Sequence, residues 1–363
     1  DCFHMNFKTY IIAEIGGNHN GDLSLAKKLI LLAKKSGANA VKFQTFNPQE
    51  LTLSNNKLAD YQIKNFKKKI SPIEILKLCS LSHKNHKKLY NYSKKINIDF
   101  ISSAFDEESL DFLSKDLKLK KHKLPSGEIT NINLIYKHGS YKNNLIISTG
   151  MSNIKEISDS LAFYICGYNK KKIKYKTLNS KKIIKKNFNI LKKKITLLHC
   201  VSNYPTKLNE INLKNIKYLR SIFKLNVGLS DHTTSENVPA FAVTLGSTVI
   251  EKHFTLNQKM YGPDHKISLE PKQFKNMTRL INEAELTLGK KKREITKSEK
   301  KLSGIVRKIL VAKKNIKKNN LFTEENLTTK RGSGGLSAKF YFDLLNKKSN
   351  KNYKINDKIQ KSL

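Results

Sequence analysis

From Tyr10 onward, short apolar runs alternate with longer amphipathic stretches, the pattern of parallel strands joined by helices. Eight runs read as strands: Tyr10 to Ile15, Ala40 to Gln44, Phe100 to Ser103, His122 to Leu124, Leu145 to Ser148, Ile195 to Cys200, Asn226 to Leu229 and Thr248 to His253. Between the first two, Ala26, Leu29, Ile30 and Ala33 recur at helical spacing within Leu25 to Ser36, with lysines on the other face and Gly37 at the C-cap. Strand–helix units in this number over about 280 residues predict an α/β fold, a closed (β/α)₈ TIM barrel with its chemistry at the C-terminal ends of the strands. An open doubly wound sheet is the structural rival.

The Lys-rich stretch from Lys170 to Lys194 reads as a helix-loop insertion on the barrel exterior. After Gly289 a basic run, Lys290 to Arg293, interrupts the pattern, and shorter apolar alternation resumes from Ile305 to Ala312. The expected organisation is a barrel domain over 5–289, a linker over 290–304 and a small domain over 305–363 whose core is thin for its length. Met5 makes a natural start, so residues 1–4 are set aside.

Composition adds a charge question. The 363 residues carry 70 Lys plus Arg against 29 Asp plus Glu, a formal charge of +41, which raises a nucleic-acid or anionic-surface partner. Only five of the 70 are Arg, however: Arg220, Arg279, Arg293, Arg307 and Arg331. Base and phosphate readers favour the planar Arg fork, and the lysines are spread throughout, so a solvated basic surface is the expectation and nucleic acid is not an expected partner. Cys2, Cys79, Cys166 and Cys200 stand singly, which argues against a disulfide framework or a zinc knuckle and suits a cytoplasmic protein. No run approaches the roughly 18 apolar residues of a membrane span.

Polar residues gather just after the apolar runs: Glu14 and His19, Lys42 and Gln44, Ser103, Lys123 and Ser126, Ser148, His199 and Tyr204, Ser230 and His232, Glu251 and His253. A barrel would collect them at one mouth. His232 and His253 end successive strands about 4.8 Å apart, so both imidazoles can meet one divalent ion, Mn²⁺, Mg²⁺, Co²⁺ or Fe²⁺ acting as a Lewis acid, with Asp231 and Glu251 beside them. Lys42 and Lys123 at strand ends require an anion, taken to be a ligand. The turns Ser126-Gly127-Glu128 and Ser148-Thr149-Gly150 offer hydroxyls and backbone N–H groups for a phosphate. Together these imply a small phosphorylated acid; a Schiff base on Lys123, as in aldolases, stays open.

These residues lie in motifs that resemble the sialic acid synthase family: IIAEIGGNHNG (11–21), VKFQTF (41–46), KLPSGEITN (123–131), ISTGM (147–151), LLHCVSNYPT (197–206), GLSDHT (228–233), VIEKHFTL (249–256) and GPDHKISLEP (262–271). The resemblance implies a TIM barrel followed by a small antifreeze-like (SAF) domain, in a domain-swapped homodimer that brings Arg331 over the partner's sugar site. It implies His232 and His253 as ligands of Mn²⁺ or Mg²⁺, with Co²⁺ also accepted. It further implies phosphoenolpyruvate bound by Lys42, Ser103, Lys123, Ser126, Ser148, Ser202 and Ser230, and Glu14, Gln44, Tyr204 and Asp264 around the sugar and reacting carbons. The third-strand SSAF, Ser202 and Gly332 depart from the commoner family residues.

The implied reaction joins phosphoenolpyruvate to an N-acetylated hexose, N-acetylmannosamine or its 2,4-diacetamido-6-deoxy analogue, giving a sialic or legionaminic acid and phosphate. The HKISLEP ending (265–271) is more similar to the sialic and legionaminic branch than to the pseudaminic one. A pseudaminic acid synthase, another phosphoenolpyruvate-dependent or aldolase-type barrel enzyme, and a basic polyanion-binding protein are the alternatives.

Overall fold

The structure is a computed structural model that describes residues 9–360 apart from 54–55, 59–62, 64–65, 67–69 and 290–291; Cys2 and Met5 lie outside the described residues. Its first unit shows how local chemistry sets the architecture. After β1 (Tyr10–Glu14), the Asp22 side chain accepts from the N–H groups of Ser24 and Leu25 and so caps α1 (Leu23–Lys35). Ala26, Leu29, Ile30 and Ala33 are its buried stripe. The helix stops at Ser36, and Gly37 follows with φ +94°, where a Cβ would also stand 2.6 Å from the Thr278 methyl.

The remaining elements of this unit follow in order: β2 (Ala40–Thr45), α2 (Pro48–Leu51), α3 (Pro72–Cys79), α4 (His83–Lys95), β3 (Asp99–Ala104), α5 (Glu107–Asp111), β4 (Lys121–Leu124), α6 (Ile132–Ser140), β5 (Asn144–Ser148), α7 (Ile154–Tyr168), α8 (Ser180–Lys186), α9 (Phe188–Lys194), β6 (Ile195–Cys200), α10 (Lys214–Phe223), β7 (Asn226–Asp231), α11 (Val238–Thr244), β8 (Val249–His253) and α12 (Pro271–Leu288). The Lys170–Lys194 stretch is a turn followed by α8 and α9, and it is more than an appendage, because α9 packs on β5 and β6 and buries Leu191 completely.

All eight strands run parallel, with β1 between β2 and β8 and the order continuing to β3 on one side and β4 on the other. The barrel is nearly closed. At the seam β3 and β4 pack together outside the hydrogen-bonded ladder, and Lys121 Nζ of β4 lies 3.4 Å from Asp99 Oδ2 of β3.

Alternation along the strands sorts their side chains. Outward residues join a large core between sheet and helices. Inward, Ile12, Ala40, Ile101, Ile146, Leu198 and Val249 form an apolar plug, with Tyr10 against it. Two positions further along each of the same six strands stand Glu14, Lys42, Ser103, Ser148, Cys200 and Glu251, all buried. The plug is thus the floor of a polar chamber at the C-terminal end of the barrel.

The chain divides into two compact units, residues 1–289 and 290–363. The second contains α13 (Lys297–Val306), an antiparallel pair β9 (Lys308–Ala312) and β10 (Leu327–Arg331), and α14 (Tyr341–Leu344), around a core of Leu310, Ala312, Ile316, Phe322, Leu327, Leu344, Tyr353 and Ile359. Of the stretch expected to be linker up to residue 304, the part from Lys297 onward belongs to α13. A capping box between Thr296 and Glu299 starts that helix, a signal the apolar pattern alone does not carry.

Candidate active site

The chamber opens into a cavity of about 550 Å³, a usual size for a small-molecule site. Thirteen of the sequence-derived residues line it: Glu14, Lys42, Gln44, Lys123, Ser126, Ser148, Ser202, Tyr204, Ser230, His232, Glu251, His253 and Asp264. Ser103 does not reach the cavity; it is buried on the inner face of β3, in register with Gln44, with its hydroxyl unpartnered. Arg331 belongs to the second unit, exposed at the end of β10. His19 and His199 turn away from the chamber: His19 stacks on Phe43, and His199 Nε2 lies 2.6 Å from the Ile211 carbonyl oxygen. Cys200, which the sequence reading did not place at the mouth, is also part of the lining. Period-two counting from Leu198 would have found it.

The two lysines are not waiting for a ligand to supply all of their counter-charge, as the sequence suggested. Lys42 is ion-paired with Glu14, and Lys123 Nζ lies 3.8 Å from Glu251 Oε1. Burial opposes the charge on Lys42, but Glu14, Glu251 and Asp264 outweigh it and hold its ammonium above the ordinary range. For Lys123 burial wins and its proton affinity falls, with Lys42 adding to the effect. Burial would raise Glu251, yet Lys123, Lys42 and a 2.8 Å hydrogen bond from Ser230 keep it ionised. The Glu14 carboxylate is held by Gln44 Nε2 at 3.0 Å and the Gly16 N–H at 3.1 Å. Burial and the neighbouring Glu14 push Asp264 up to about 6. Its room is made by Gly17, where a Cβ would stand 2.3 Å from Asp264 Oδ2.

On the β5–β6 side, Gly150 N–H donates to Ser126 Oγ at 3.1 Å, and the hydroxyls of Ser148 and Ser202 are buried without partners. Buried orphan hydroxyls are costly, and several of them beside an ammonium make a cradle for an oxyanion. The opposite wall is apolar, made by Phe46, Ile75, Leu76 and Phe105, with Phe46 and Phe105 edge-to-face at 5.9 Å.

His232 and His253 extend the β7–β8 register by one residue, and their ring centroids are 5.5 Å apart. His232 Nδ1 lies 2.8 Å from the Val201 carbonyl oxygen; donating there leaves Nε2 as a bare lone pair. His253 Nδ1 is buried without a hydrogen-bond partner, and burial together with His232 and the lysines pushes this imidazole well toward neutrality. Burial opposes a proton on His232, but Cys200, the Val201 carbonyl and Glu251 overcome it, so the position favours positive charge. The donors fit a divalent ion held by two imidazole nitrogens with further positions left to water and substrate oxygens. Among the described residues no group of three or more His, Cys, Asp or Glu side chains forms a metal cluster. The supporting acid expected at Asp231 faces the other way, since Asp231 is paired with Lys252 on the outer side of the strands.

Comparison with known proteins agrees with the geometry. The NeuB family profile matches residues 29–293. The chain is 44% identical to the N,N'-diacetyllegionaminic acid synthase of Campylobacter jejuni, over 97% of this chain and 99% of that one. It is 35% identical to the pseudaminic acid synthase of the same species, over 99% and 97% of the two chains. The crystal structure of N-acetylneuraminic acid synthetase from Leptospira borgpetersenii in complex with citrate superposes with a TM-score of 0.67 at 30% identity, covering 81% of this chain and 90% of that one. This chain therefore belongs to the NeuB family, synthases that join phosphoenolpyruvate to a sugar through a new carbon–carbon bond.

Proposed function

We propose that the acceptor is 2,4-diacetamido-2,4,6-trideoxymannose and the product a diacetylated legionaminic acid. The observation that carries this reading is the near full-length identity of 44% to a synthase of that name. The apolar wall of Phe46, Ile75, Leu76 and Phe105 supports it, because a 6-methyl group and a second acetyl group suit that wall better than the hydroxyls of N-acetylmannosamine. The pseudaminic reading rests on a weaker identity of 35%.

In this reading Lys42 and Lys123 face the carboxylate and phosphate of phosphoenolpyruvate, and Ser126, Ser148, Ser202, Ser230 and the Gly150 backbone surround the phosphate oxygens; Ser103 supports them from the strand beneath. His232 and His253 hold a divalent ion, Mn²⁺ or Mg²⁺, which when bound supplies Lewis-acid polarisation of the sugar aldehyde. Gln44, Tyr204 and Asp264 orient the open-chain sugar so that its aldehyde carbon meets the methylene carbon of phosphoenolpyruvate. A new carbon–carbon bond forms there as the aldehyde π bond breaks, leaving positive charge on the former enol carbon and an alkoxide on the former aldehyde oxygen. Glu14 orients the water that adds to that carbon and accepts its proton, which passes on to the alkoxide to give the product hydroxyl. The tetrahedral intermediate then breaks its carbon–oxygen bond to phosphate while its hydroxyl becomes the ketone, the hydroxyl proton leaving with the phosphate. Buried dipoles and charges fixed in advance around the developing charges supply the acceleration.

No helix of the described residues is long and apolar enough to cross a membrane, and a cytoplasmic location suits a phosphoenolpyruvate-consuming enzyme. The reading includes a homodimer in which the small domain, of the antifreeze-like type, lends Arg331 to the sugar bound by a second copy. Truncation after Gly289 then removes activity, and an active monomeric barrel would overturn that part. The main test incubates the protein with phosphoenolpyruvate, Mn²⁺ and each candidate sugar and measures released phosphate. Preference for the diacetamido sugar supports the reading, and preference for N-acetylmannosamine or the pseudaminic precursor overturns it. Full activity after exhaustive chelation would refute the metal.

A further inference from the structure

Strand β8 places Glu251 and His253 in the chamber and, by alternation, Lys252 on the outer side, among the apolar residues between sheet and helices. An ammonium there is out of place unless it is fully satisfied. Lys252 has no exposed surface, and its Nζ donates to Asp231 Oδ2 at 2.6 Å, to the Thr233 carbonyl, to the Ser235 carbonyl at 3.2 Å and toward Thr233 Oγ1 at 3.4 Å. Asp231 in turn accepts from the Thr233 N–H at 2.9 Å and from Thr233 Oγ1 at 3.1 Å. Every one of these partners lies within three residues of His232 in the chain. The His232 carbonyl is itself held by the Thr206 N–H at 3.0 Å, and its ring by Val201.

We infer that Lys252 is a positioning residue: from behind the strands it ties residues 231–235 into one rigid turn, and that turn aims the His232 imidazole at the ion it shares with His253. The inference rests on the metal reading given above. Lys252 touches neither substrate nor ion. Its neighbour on the same strand, His253, supplies the second ligand, so a single strand segment fixes one ligand directly and the other through the Lys252 ammonium. Without the ammonium, the carbonyls of Thr233 and Ser235 and the Asp231 carboxylate lose their common donor, and the turn is free to relax away from the chamber. Outer-sphere partners of metal-binding histidines typically contribute about 10- to 100-fold in metal affinity.

The test uses the full chain and follows free Mn²⁺ by electron paramagnetic resonance during titration, so it does not depend on turnover. Lys252→Met leaves the Asp231 carboxylate buried and unpaired, so the double variant Lys252→Met/Asp231→Asn, which leaves no uncompensated charge, is measured beside it, with circular dichroism and thermal unfolding on each. Binding of Mn²⁺ by the unaltered protein, weakened about tenfold or more in the folded double variant while the KM for phosphoenolpyruvate stays within about twofold, supports the inference. Lys252→Arg, which keeps the donors, is expected to recover part of the affinity. A folded double variant that binds Mn²⁺ as the unaltered protein does, even with a lowered melting temperature, overturns the positioning role and leaves only a packing role. If the unaltered protein binds no Mn²⁺, the metal reading fails and the inference falls with it.

Discussion

A carbon added to Gly150 would stand 2.3 Å from Ser202 Oγ, and the same carbon would lie 2.8 Å from Ser126 Oγ. The backbone at residue 150 therefore approaches these hydroxyls as closely as a hydrogen allows, and the gap is the cradle assigned to the phosphate. Gly150→Ala is expected to displace Ser202 and Ser126 and occupy part of that space, an overpacking of about 1–3 kcal/mol. The KM for phosphoenolpyruvate should rise by about tenfold or more, with the KM for the sugar changed by no more than about threefold. Steady-state phosphate release with each substrate varied in turn checks it. An equal rise in both constants would place the phosphate elsewhere.

Lys123 and Glu251 form a buried pair 3.8 Å apart on β4 and β8, across the chamber floor. Neither can leave alone without stranding the other, at a cost of about 3–5 kcal/mol. Lys123→Met and Glu251→Gln should each lower the thermal midpoint, and the double variant should regain much of the lost stability. Activity should not return in the double variant, because the ammonium assigned to phosphoenolpyruvate is still missing. Differential scanning calorimetry and a phosphate assay on the three proteins separate the two roles. Activity restored in the double variant would show that Lys123 serves only to balance Glu251.

The strand positions and the chamber's histidines are legible in the sequence because period two and period 3.6 are distinct signals, and each strand is bracketed by them. The same counting could have found Cys200, since it stands two residues past the plug residue Leu198, as the already legible Glu251 stands two past Val249. What the pattern could not carry is which charges pair. Asp231 sits beside His232 in the chain yet faces Lys252 behind the strands, because neighbours on a strand point to opposite faces. Lys42 and Glu14 are 28 positions apart and become partners only when β1 and β2 align in register. The helix Lys297–Val306 was hidden for a different reason: it buries none of its residues, so no apolar stripe marks it.

The apolar wall offers a test of acceptor choice. Phe105 is half-buried on the cavity side and touches the edge of Phe46, so Phe105→Ala removes wall surface with less damage to the core than Phe46→Ala. If a methyl or acetyl group of the sugar rests there, kcat/KM for the diacetamido-6-deoxy sugar should fall by about tenfold relative to that for N-acetylmannosamine, the worth of about 1–2 kcal/mol of apolar contact. Competition between the two sugars in one vessel, read by mass spectrometry of the products, gives the ratio directly. A variant that loses both activities in proportion would remove the wall from acceptor selection.

Behind β4, His122 and His138 meet edge-to-face at 5.4 Å, both fully buried, and His138 has no hydrogen-bond partner at either nitrogen. Burial lowers His122 to about 4, and burial with His122 alongside pushes His138 well below its ordinary 6.5. Above pH 6.5 both are neutral whether the chain is folded or not, and they cost nothing. As the pH falls below 6.5 the unfolded chain binds protons that the folded chain refuses, so stability is lost progressively toward pH 4. At pH 5, about 1.5 pH units under the unfolded value, each such histidine costs about 2 kcal/mol. His19, lowered to about 3 by burial and by His86, and His265, lowered to about 4 by burial, act with the same sign. His138→Leu should therefore gain stability relative to the unaltered protein between pH 7 and pH 5, whatever its effect at pH 7 alone. Urea midpoints at the two pH values measure the difference, and a midpoint gap between variant and unaltered protein that does not change with pH would show that His138 takes up its proton in the folded state.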